Sequence, residues 1–313
     1  MKISIASNIV LDSIKDREGR ITHSLGGPAC YCGLTAKRFG FEVILATKVG
    51  KDFSTENMNV LQDNGITIKE YQMAESASTT KFELVFNNKD SRDLFLVSKC
   101  EPLTLEDIQK VQTDCWLISP VIDEVPANIL SAIVKDGGKK NFVMLDPQGY
   151  MRSINTTMPL SSSSSSTRIS LLDNLTLDLH GITAIKVDEE ELAALTGGLE
   201  GLEGMQFLQS IKGVKFVIST TSKDIHLLHN KMHYWVKLDI NTSDYTGAGD
   251  ILSAAFCCSY LKERDPLWAI CFGAGAVRAA LETKLTGLNK IPSKSKIEYN
   301  AYYYYGTVAF QRL

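Results

Sequence analysis

The strongest chemical signal in the sequence is a run of small residues, Thr246-Gly247-Ala248-Gly249-Asp250, directly before an apolar segment with helical spacing. Small residues at a helix start leave backbone N–H groups open to an anion, and the helix dipole adds to the attraction. Gly247, Ala248 and Gly249 therefore predict an anion hole for a phosphoryl group in transfer. Asp250 follows in the first turn, where a carboxylate is either a partner of the helix dipole or a catalytic group.

Strand-like and helical segments alternate along most of the chain. This alternation predicts a mostly parallel sheet, covered by helices on both faces, that positions the run of small residues. Binding sites in such folds lie at the carboxyl ends of the strands. The strand-like segments are 3–11, 43–49, 115–121, 142–146, 184–187 and 216–220, with a hairpin pair near 225–238. The helical segments are 27–39, 56–62, 105–111, 125–135, one ending near 195, 247–263, 266–282 and 294–304.

The alternation is interrupted between about 66 and 99. Three strand-like segments, Ile66–Tyr71, Thr79–Phe86 and Asp93–Val97, follow one another without a helix between them. This pattern predicts a small antiparallel sheet inserted in the α/β domain. We expect it, with part of the N-terminal region near 12–24, to form a β-lid. No linker divides the chain, so we expect a single domain over 1–313, with the six serines at 161–166 in a loop.

The charge balance excludes several classes of protein. The 313 residues carry 33 Lys and Arg against 36 Asp and Glu, a net charge of −3. Nucleic-acid-binding proteins usually carry a basic excess, so we expect no nucleic-acid partner. No apolar run reaches the roughly 18 residues that a membrane span needs, and the first residues do not resemble a signal peptide. We therefore expect a cytoplasmic protein without a membrane partner, whose seven cysteines are free thiols.

Several motifs in order along the chain resemble the signatures of the ribokinase, or PfkB, family of sugar and nucleoside kinases. Asp244-x-Thr-Gly-Ala-Gly-Asp250 resembles the second signature, and Gly26-Gly27, leading into a helix that ends at Gly40, resembles the first. Gly50-Lys51-Asp52 resembles the family's Gly-x-Asp turn. Asp188-Glu189-Glu190-Glu191 resembles its Asn-x-x-Glu motif, with Asp in place of Asn. The resemblance covers nearly the whole chain and implies a ribokinase-like three-layer fold.

The resemblance implies a role for each matching residue. Asp250 corresponds to the base that activates the attacking hydroxyl, next to the Gly247–Gly249 anion hole. Asp188 and Glu191 correspond to the motif that organises Mg²⁺, in part through water, and their other interpretation is an acidic helix N-terminus. Asp244 and Thr246 match positions that help to hold a monovalent cation such as K⁺.

The phosphate donor implied by the family is ATP or another nucleoside triphosphate. The family's nucleotide strand usually ends Thr-x-Gly-x-x-Gly, and this chain has Thr220-Thr221-Ser222-Lys223-Asp224 there, with neither glycine. Ser219 and Thr221 are the candidate donor contacts, and the preferred nucleotide stays open. The chain has no Gly-x-x-x-x-Gly-Lys-Ser/Thr sequence, which argues against a P-loop kinase.

The acceptor site is predicted from two further segments. Asp12 lies where the family's substrate-binding Asp lies, and the resemblance implies substrate binding by Gly26 and Gly27 as well. Asp146-Pro147-Gln148-Gly149 follows a buried strand and looks like the corresponding segment of archaeal and plant myo-inositol kinases. In that subgroup the Gln and Arg lie at the substrate, which implies that role for Gln148 and Arg152; a loop cap and a surface arginine are the alternative.

The sequence thus predicts an ATP- and Mg²⁺-dependent kinase for a hydroxyl of a small polyol or sugar, with myo-inositol as the best single substrate. A nucleoside kinase and a ribokinase- or fructokinase-type sugar kinase are alternatives on the same fold. A catalytically weak sugar-binding regulator is the alternative from another class. We also expect a homodimer through an exposed apolar face of the lid, formed by Phe82, Leu84, Phe86, Leu94 and Phe95.

Overall fold

The computed structural model describes residues 1–15, 18–86, 92–109, 111–137, 141–154, 166–240, 242 and 244–313. The strands are β1 (Lys2–Ala6), β2 (Val10–Lys15), β3 (Ile21–Gly26), β4 (Glu42–Ala46), β5 (Val49–Gly50), β6 (Met73–Ala74), β7 (Thr80–Phe86), β8 (Arg92–Ser98), β9 (Cys115–Ile118), β10 (Phe142–Leu145), β11 (Arg152–Ile154), β12 (Thr167–Leu171), β13 (Ala184–Asp188), β14 (Phe216–Thr220), β15 (Asp224–His229), β16 (Met232–Lys237) and β17 (Ala309–Arg312). The helices are α1 (Gly27–Arg38), α2 (Thr55–Asp63), α3 (Leu105–Ile108), α4 (Ala127–Gly137), α5 (Gln148–Met151), α6 (Glu189–Thr196), α7 (Gly201–Ser210), α8 (Ala248–Glu263), α9 (Pro266–Leu281) and α10 (Lys294–Thr307), with 3₁₀ turns at Glu70–Gln72 and Gly287–Lys290.

The main sheet has nine strands in the order β4-β1-β9-β10-β13-β14-β15-β16-β17, and the first six run parallel. Every residue of β9 and β10 is buried, as expected for parallel strands with helices on both faces. Helices α1, α8, α9 and α10 pack on one face, and α4, α6 and α7 pack on the other. The mostly parallel sheet between two helical layers, predicted from the sequence, is confirmed.

A second sheet contains six strands in the order β11-β12-β8-β7-β2-β3. It differs from the expected small antiparallel sheet in three respects. The segment 66–71 contributes no strand, because it forms an irregular stretch and a 3₁₀ turn before Met73–Ala74 pairs with β5. The segment 152–171 adds β11 and β12, and β2 pairs with β7 in parallel. Residues 87–91 of the expected lid and serines 161–165 lie outside the described residues.

One side of the second sheet is partly covered by the chain itself. Phe82 and Leu84 on this side are buried against Val121 and Ile122 of the loop after β9. They are therefore not exposed, contrary to the expectation for the lid face, because the loop after β9 folds up against them. The register places Leu94 on the same side and Phe95 on the opposite one.

Further elements that were not anticipated include helix α7 and the edge strand β17. The predicted cap of α2 does form: the Ser54 side chain accepts a hydrogen bond from the backbone N–H of Asn57 at 3.2 Å. The seven cysteines are free and buried. Among the described residues, no helix combines the length and the apolar character needed to cross a membrane.

Candidate active site

The start of α8 lies at the carboxyl ends of the parallel strands. Gly247 caps the helix with a φ of +75°, a backbone conformation that favours glycine. A Cβ at this position would lie only 2.7 Å from the ring of Tyr31, on which the loop rests. Both the backbone angle and the ring therefore require a glycine. The backbone N–H groups that follow are in the first turn of α8, where they have no partner within the helix.

Asp250 lies in this first turn and is 8% exposed. Its Oδ1 accepts a hydrogen bond from Nε2 of Gln148 at 3.2 Å. The Gln148 Oε1 in turn accepts from Nη2 of Arg152 at 3.1 Å, and Nη1 of Arg152 donates to the carbonyl of Val121 at 2.6 Å. Three residues that the sequence singled out thus form one chain of hydrogen bonds. Gln148 is also 3.1 Å from Oγ of Ser119, which holds its amide in place.

The carboxyl of Asp250 has an unusual acidity. Burial and the nearby carboxylate of Asp146 raise its pKa to about 7, although Lys186, Arg152 and the Gln148 hydrogen bond oppose the shift. A carboxyl with a pKa near neutrality can accept a proton from a substrate hydroxyl and release it again at physiological pH. Perturbed acidity of this kind is typical of functional sites.

A buried lysine lies beneath the anion hole. The Lys186 Nζ is 3.1 Å from Oδ2 of Asp146 and 3.9 Å from Oε2 of Glu191. A Cβ at Gly249 would lie 3.1 Å from the same Nζ, so the ammonium is directly against the start of α8. The sequence interpretation missed Lys186 and Asp146. A lysine inside an otherwise apolar strand was the available signal, because buried charges are rare unless they are paired.

Asp188 and Glu191 occupy the start of α6 and form a reciprocal cap. The Asp188 Oδ1 accepts from the backbone N–H of Glu191, and the Glu191 Oε2 accepts from that of Asp188, both at 2.8 Å. Burial raises the pKa of Glu191 to about 7, although the Lys186 ammonium lowers it. Asp188 also borders the cavity described next, whereas Glu191 is enclosed behind it.

A cavity of about 460 Å³ opens beside Gly249. Lys186, Asp188 and the turn 220–222 provide its polar side, and its apolar wall is formed by Ile225, Leu238, Ile240, Leu252, Val277 and Leu281. Ser219 does not line this cavity, because side chains alternate along β14 and Ser219 lies on the opposite face from Thr220. The Thr221 hydroxyl borders the cavity but accepts the backbone N–H groups of Lys223 and Asp224 at 3.0 and 2.9 Å.

The described residues contain no group of three or more His, Cys, Asp or Glu side chains arranged to hold a metal. Mg²⁺ usually takes one or two carboxylates and completes its shell with water and substrate phosphates. Asp188, on the cavity wall next to the anion hole, fits this donor set. Glu191 fits only an indirect role, since its oxygen already binds the Asp188 N–H and lies near the Lys186 ammonium.

Asp12 and the glycine pair lie together at the start of α1, the helix that carries Tyr31. Asp12 is buried on β2, and a Cβ at Gly26 would lie 1.9 Å from its Oδ2, so this carboxylate rests directly on the glycine. Gly27 has a φ of +77°. Burial raises the pKa of the Tyr31 hydroxyl, and the carboxylates of Asp12, Asp244 and Asp250 raise it further, which brings all three around one ring.

A fully buried glutamate organises the loop that carries Val121. Oε1 of Glu124 accepts the backbone N–H groups of Asn8 at 3.1 Å and Val121 at 2.7 Å, and its Oε2 accepts that of Ile122 at 2.8 Å. Burial raises the pKa of Glu124 despite these hydrogen bonds. The loop in turn supplies the Val121 carbonyl that orients Arg152. No pattern in the sequence indicated this role.

Asp244 and Thr246, for which the resemblance implied a monovalent cation, surround the ammonium of Lys290. The Lys290 Nζ lies 3.0 Å from Oδ2 of Asp244, 3.2 Å from its carbonyl oxygen and 2.8 Å from the carbonyl oxygen of Thr246. These three oxygens of the loop before the anion hole are thus already bound to a cation of the chain itself.

A three-layer α/β fold with a Gly-Ala-Gly-Asp helix start at the carboxyl edge of its sheet defines the class of ribokinase-like kinases. The family described as pfkB family carbohydrate kinase matches residues 3–294. The chain therefore belongs to this family and is a carbohydrate kinase that transfers a phosphoryl group, as the signatures indicated. A search of curated protein sequences gives no significant match.

Solved structures share the fold at low sequence identity. A pyrophosphate-dependent kinase of the ribokinase family in a sulfate complex has a TM-score of 0.79 and 20% identity, covering 95% of this chain and 99% of that one. A pyrophosphate-dependent kinase of the same family, complexed with a pyrophosphate analogue and myo-inositol, has a TM-score of 0.77, 20% identity and the same coverage. A double mutant of a fructokinase from Vibrio cholerae O395, with fructose, ADP and potassium bound, has a TM-score of 0.73 and 16% identity, covering 96% and 98%.

Proposed function

We propose that the protein transfers the terminal phosphoryl group of ATP to a hydroxyl of a small polyol, with myo-inositol as the substrate. The observation that carries the proposal is the hydrogen-bonded chain from Arg152 through Gln148 to Asp250, at the start of α8. It joins a carboxyl of near-neutral pKa to an amide that both donates and accepts. Vicinal hydroxyls match this pair, because the Gln148 Oε1 and the Asp250 carboxylate can each accept a hydrogen bond from one of two neighbouring hydroxyls.

Asp250 is the general base in this proposal. It takes the proton from the acceptor hydroxyl as that oxygen forms a bond to the transferred phosphorus, while the bond from this phosphorus to the leaving diphosphate breaks. The products are the phosphorylated polyol and ADP. A pKa of about 7 suits this task, because the carboxyl is ionised in a useful fraction at neutral pH.

The anion hole and Lys186 stabilise the charge of the phosphoryl group. Backbone N–H groups at the start of α8 lie where the helix dipole is positive, and the Lys186 ammonium lies directly beneath Gly249. Asp188, and Glu191 through water, would hold Mg²⁺, which neutralises donor phosphates when bound. Phe82 of the second sheet lies over the Arg152 guanidinium, 5.7 Å from ring centre to carbon, so this sheet closes the acceptor side against water as a lid.

The apolar wall of the donor cavity favours ATP over pyrophosphate. Pyrophosphate offers only charged oxygens, whereas six aliphatic side chains line the cavity beside Gly249. A purine base gains from contact with such a wall, and about 460 Å³ is within the usual size range for small-molecule sites. The pyrophosphate-dependent structures of similar fold make pyrophosphate the second donor to test.

The proposal includes a homodimer through the second sheet. Beyond Val121 and Ile122, its apolar side continues as Ile14, Leu94 and Ile169, which are half-buried and pack at the edge of the buried cluster. A second copy of the chain would cover these side chains.

The test is a donor and acceptor matrix that measures product formation with Mg²⁺. ATP and pyrophosphate are each combined with myo-inositol, ribose, fructose, adenosine and cytidine. We expect turnover with ATP and myo-inositol. Turnover with a nucleoside or with another sugar would agree with the proposed phosphoryl transfer but refute myo-inositol as the acceptor. Turnover with pyrophosphate and none with ATP would refute ATP as the donor.

The matched pair of variants is Asp250→Asn and Asp265→Asn. Asp265 caps α9 through its own side chain, and asparagine is an equally good cap. Asp250→Asn should lower kcat by a factor on the order of 10³ with little change in acceptor binding, since a general base contributes up to about 10⁴. Asp265→Asn should behave as the wild type. An Asp250→Asn enzyme with normal kcat would exclude Asp250 as the base.

A further inference from the structure

The loop Asp244–Gly247 carries the anion hole and is shaped in part by hydrogen bonds within the loop. The Thr246 N–H donates to Oδ1 of Asp244 at 2.9 Å, and the Ala248 N–H donates to the carbonyl of Tyr245 at 3.1 Å. Two carbonyl oxygens and one carboxylate oxygen of this loop converge on one point. Converging oxygens repel one another unless a cation or donor lies between them.

The ammonium of Lys290 lies at this point. Its three donors match the three oxygens at 2.8, 3.0 and 3.2 Å, and the lysine side chain is only 2% exposed. A lysine ammonium has three N–H groups and no acceptor, so it is suited to bind three oxygens of the loop at once. Burying an ammonium costs free energy unless a counter-charge is close, and the Asp244 carboxylate supplies that charge.

We propose that the Lys290 ammonium takes the place of a bound monovalent metal ion and holds the anion-hole loop, so that this kinase works without potassium. The inference concerns the loop alone and does not depend on which donor or acceptor the enzyme uses. In this respect the proposed loop differs from the fructokinase structure of similar fold, which contains potassium. It also revises the expectation that Asp244 and Thr246 bind K⁺, because the oxygens concerned are already bound to Lys290.

The backbone contacts support a role in positioning rather than a simple ion pair. Two of the three contacts are to backbone carbonyls, one on each side of Tyr245, so they fix the loop's course and not merely the Asp244 side chain.

A cavity also gives an ion from solution access to this loop. A cavity of about 710 Å³ is bordered by Asp244, Gly287 and Asn289, next to the 3₁₀ turn that ends at Lys290. An ion in solution can therefore reach the loop once the lysine side chain is shortened. Lys290→Ala leaves space at the three oxygens, whereas Lys290→Met fills it with an uncharged side chain of similar length.

The experiment compares potassium chloride, ammonium chloride and choline chloride at equal ionic strength. Thermal unfolding is recorded without substrates, and kcat and KM are measured with the best donor and acceptor. The wild type should have the same Tm and the same kcat in all three salts. A wild-type enzyme that is active in potassium chloride and inactive in choline chloride would overturn the proposal, whatever the variants do.

In choline chloride, Lys290→Ala should have a lower Tm and a kcat reduced on the order of a hundredfold, because a displaced anion hole costs about that much. Potassium or ammonium should restore both quantities in Lys290→Ala and neither in Lys290→Met. The control is Lys262→Ala, which removes a lysine that donates to the Phe39 carbonyl far from this loop and should create no dependence on potassium. A Lys290→Ala enzyme with the same Tm and kcat in every salt would refute the assigned role. Because Tm is recorded without substrate, it separates this outcome from a wrong donor or acceptor.

Discussion

At the residue scale, the acidity of Asp250 determines a pH dependence that can be measured. A base acts only when deprotonated, and burial places the pKa of this carboxyl at about 7. We therefore expect kcat/KM to fall as the pH is lowered through about 7 and to be level above it. The measurement is the pH profile of kcat/KM between about pH 5 and 9, a range that brackets the shifted pKa. A profile that is flat across this range would contradict the assignment.

The hydrogen bond from Gln148 provides a matched test of the same profile. This bond lowers the pKa of Asp250 because it stabilises the ionised carboxylate. Gln148→Leu should therefore move the midpoint of the kcat/KM profile to higher pH and raise KM for the polyol. Gln209→Leu, which removes an amide that donates only to backbone carbonyls near the Lys215 end of the main sheet, should leave the midpoint unchanged. Equal midpoints in all three proteins would show that Gln148 does not influence the base.

Asp250 also affects stability, because the raised pKa that suits a general base makes the folded protein less stable when the carboxyl is ionised. Its folded pKa is raised above the unfolded value, so the folded state disfavours ionisation and loses stability as the pH rises from about 4 to about 7. Asp250→Asn removes this penalty. The variant should therefore have a higher Tm than the wild type at alkaline pH and a smaller advantage at acidic pH, as thermal unfolding at both pH values would reveal. A Tm below that of the wild type at alkaline pH would refute the raised pKa.

At the element scale, the start of α8 depends on a glycine for two separable reasons. Gly247 has a φ of +75° and a tyrosine ring within 2.7 Å of any added Cβ, whereas Gly197 has a φ of +73° with open space around it. Gly197→Ala thus carries only the backbone strain, about 1 kcal/mol.

Gly247→Ala should lose more free energy of unfolding than Gly197→Ala, because it adds the clash with Tyr31. It should also lower kcat on the order of a hundredfold, since the anion hole moves with the loop. Chemical denaturation and steady-state kinetics of the two variants provide the comparison. Equal losses of stability and normal kcat in both would show that Tyr31 does not fix the loop.

The elements also show how far the sequence alone reaches. Strands β9 and β10 were predictable because they are continuous apolar runs, and α8 because a small-residue motif marks its start. The short strands β11 and β12 were not, because they surround a serine run and each carries only partly buried side chains. β12 pairs with β8, which lies far away in the sequence, and β11 in turn pairs with β12.

Among the residues of the candidate site, too, those in a local sequence motif could be predicted and those placed by distant contacts could not. Gln148, Arg152 and Asp250 could be found because each lies in a motif at a strand end or helix start. Lys290 could not, since it is one lysine in a polar stretch and only the folded chain brings it to Asp244. Ser219 was misplaced because the sequence gives the strand but not which of two adjacent hydroxyls faces the cavity.

At the scale of the whole molecule, the proposed dimer rests on the apolar side of the second sheet. This side begins at the acceptor side of the site, where Phe82 covers Arg152, and continues outward to Leu94 and Ile169. Phe95 lies on the opposite side of the same strand, where it pairs with Glu83.

Strand β8 therefore offers a matched pair for testing the dimer. Light scattering should give the wild type twice the 34.5 kDa mass of one chain at working concentration. Leu94→Lys should give a monomer, because a charge on the apolar side would be desolvated in the interface, whereas Phe95→Lys on the other side should remain a dimer. The Leu94→Lys monomer should also have a higher KM for the polyol, since the sheet that covers Arg152 loses its outer support. A wild type that is monomeric at the same concentration would refute the dimer, and a dimeric Leu94→Lys protein would exclude this side of the sheet as its interface.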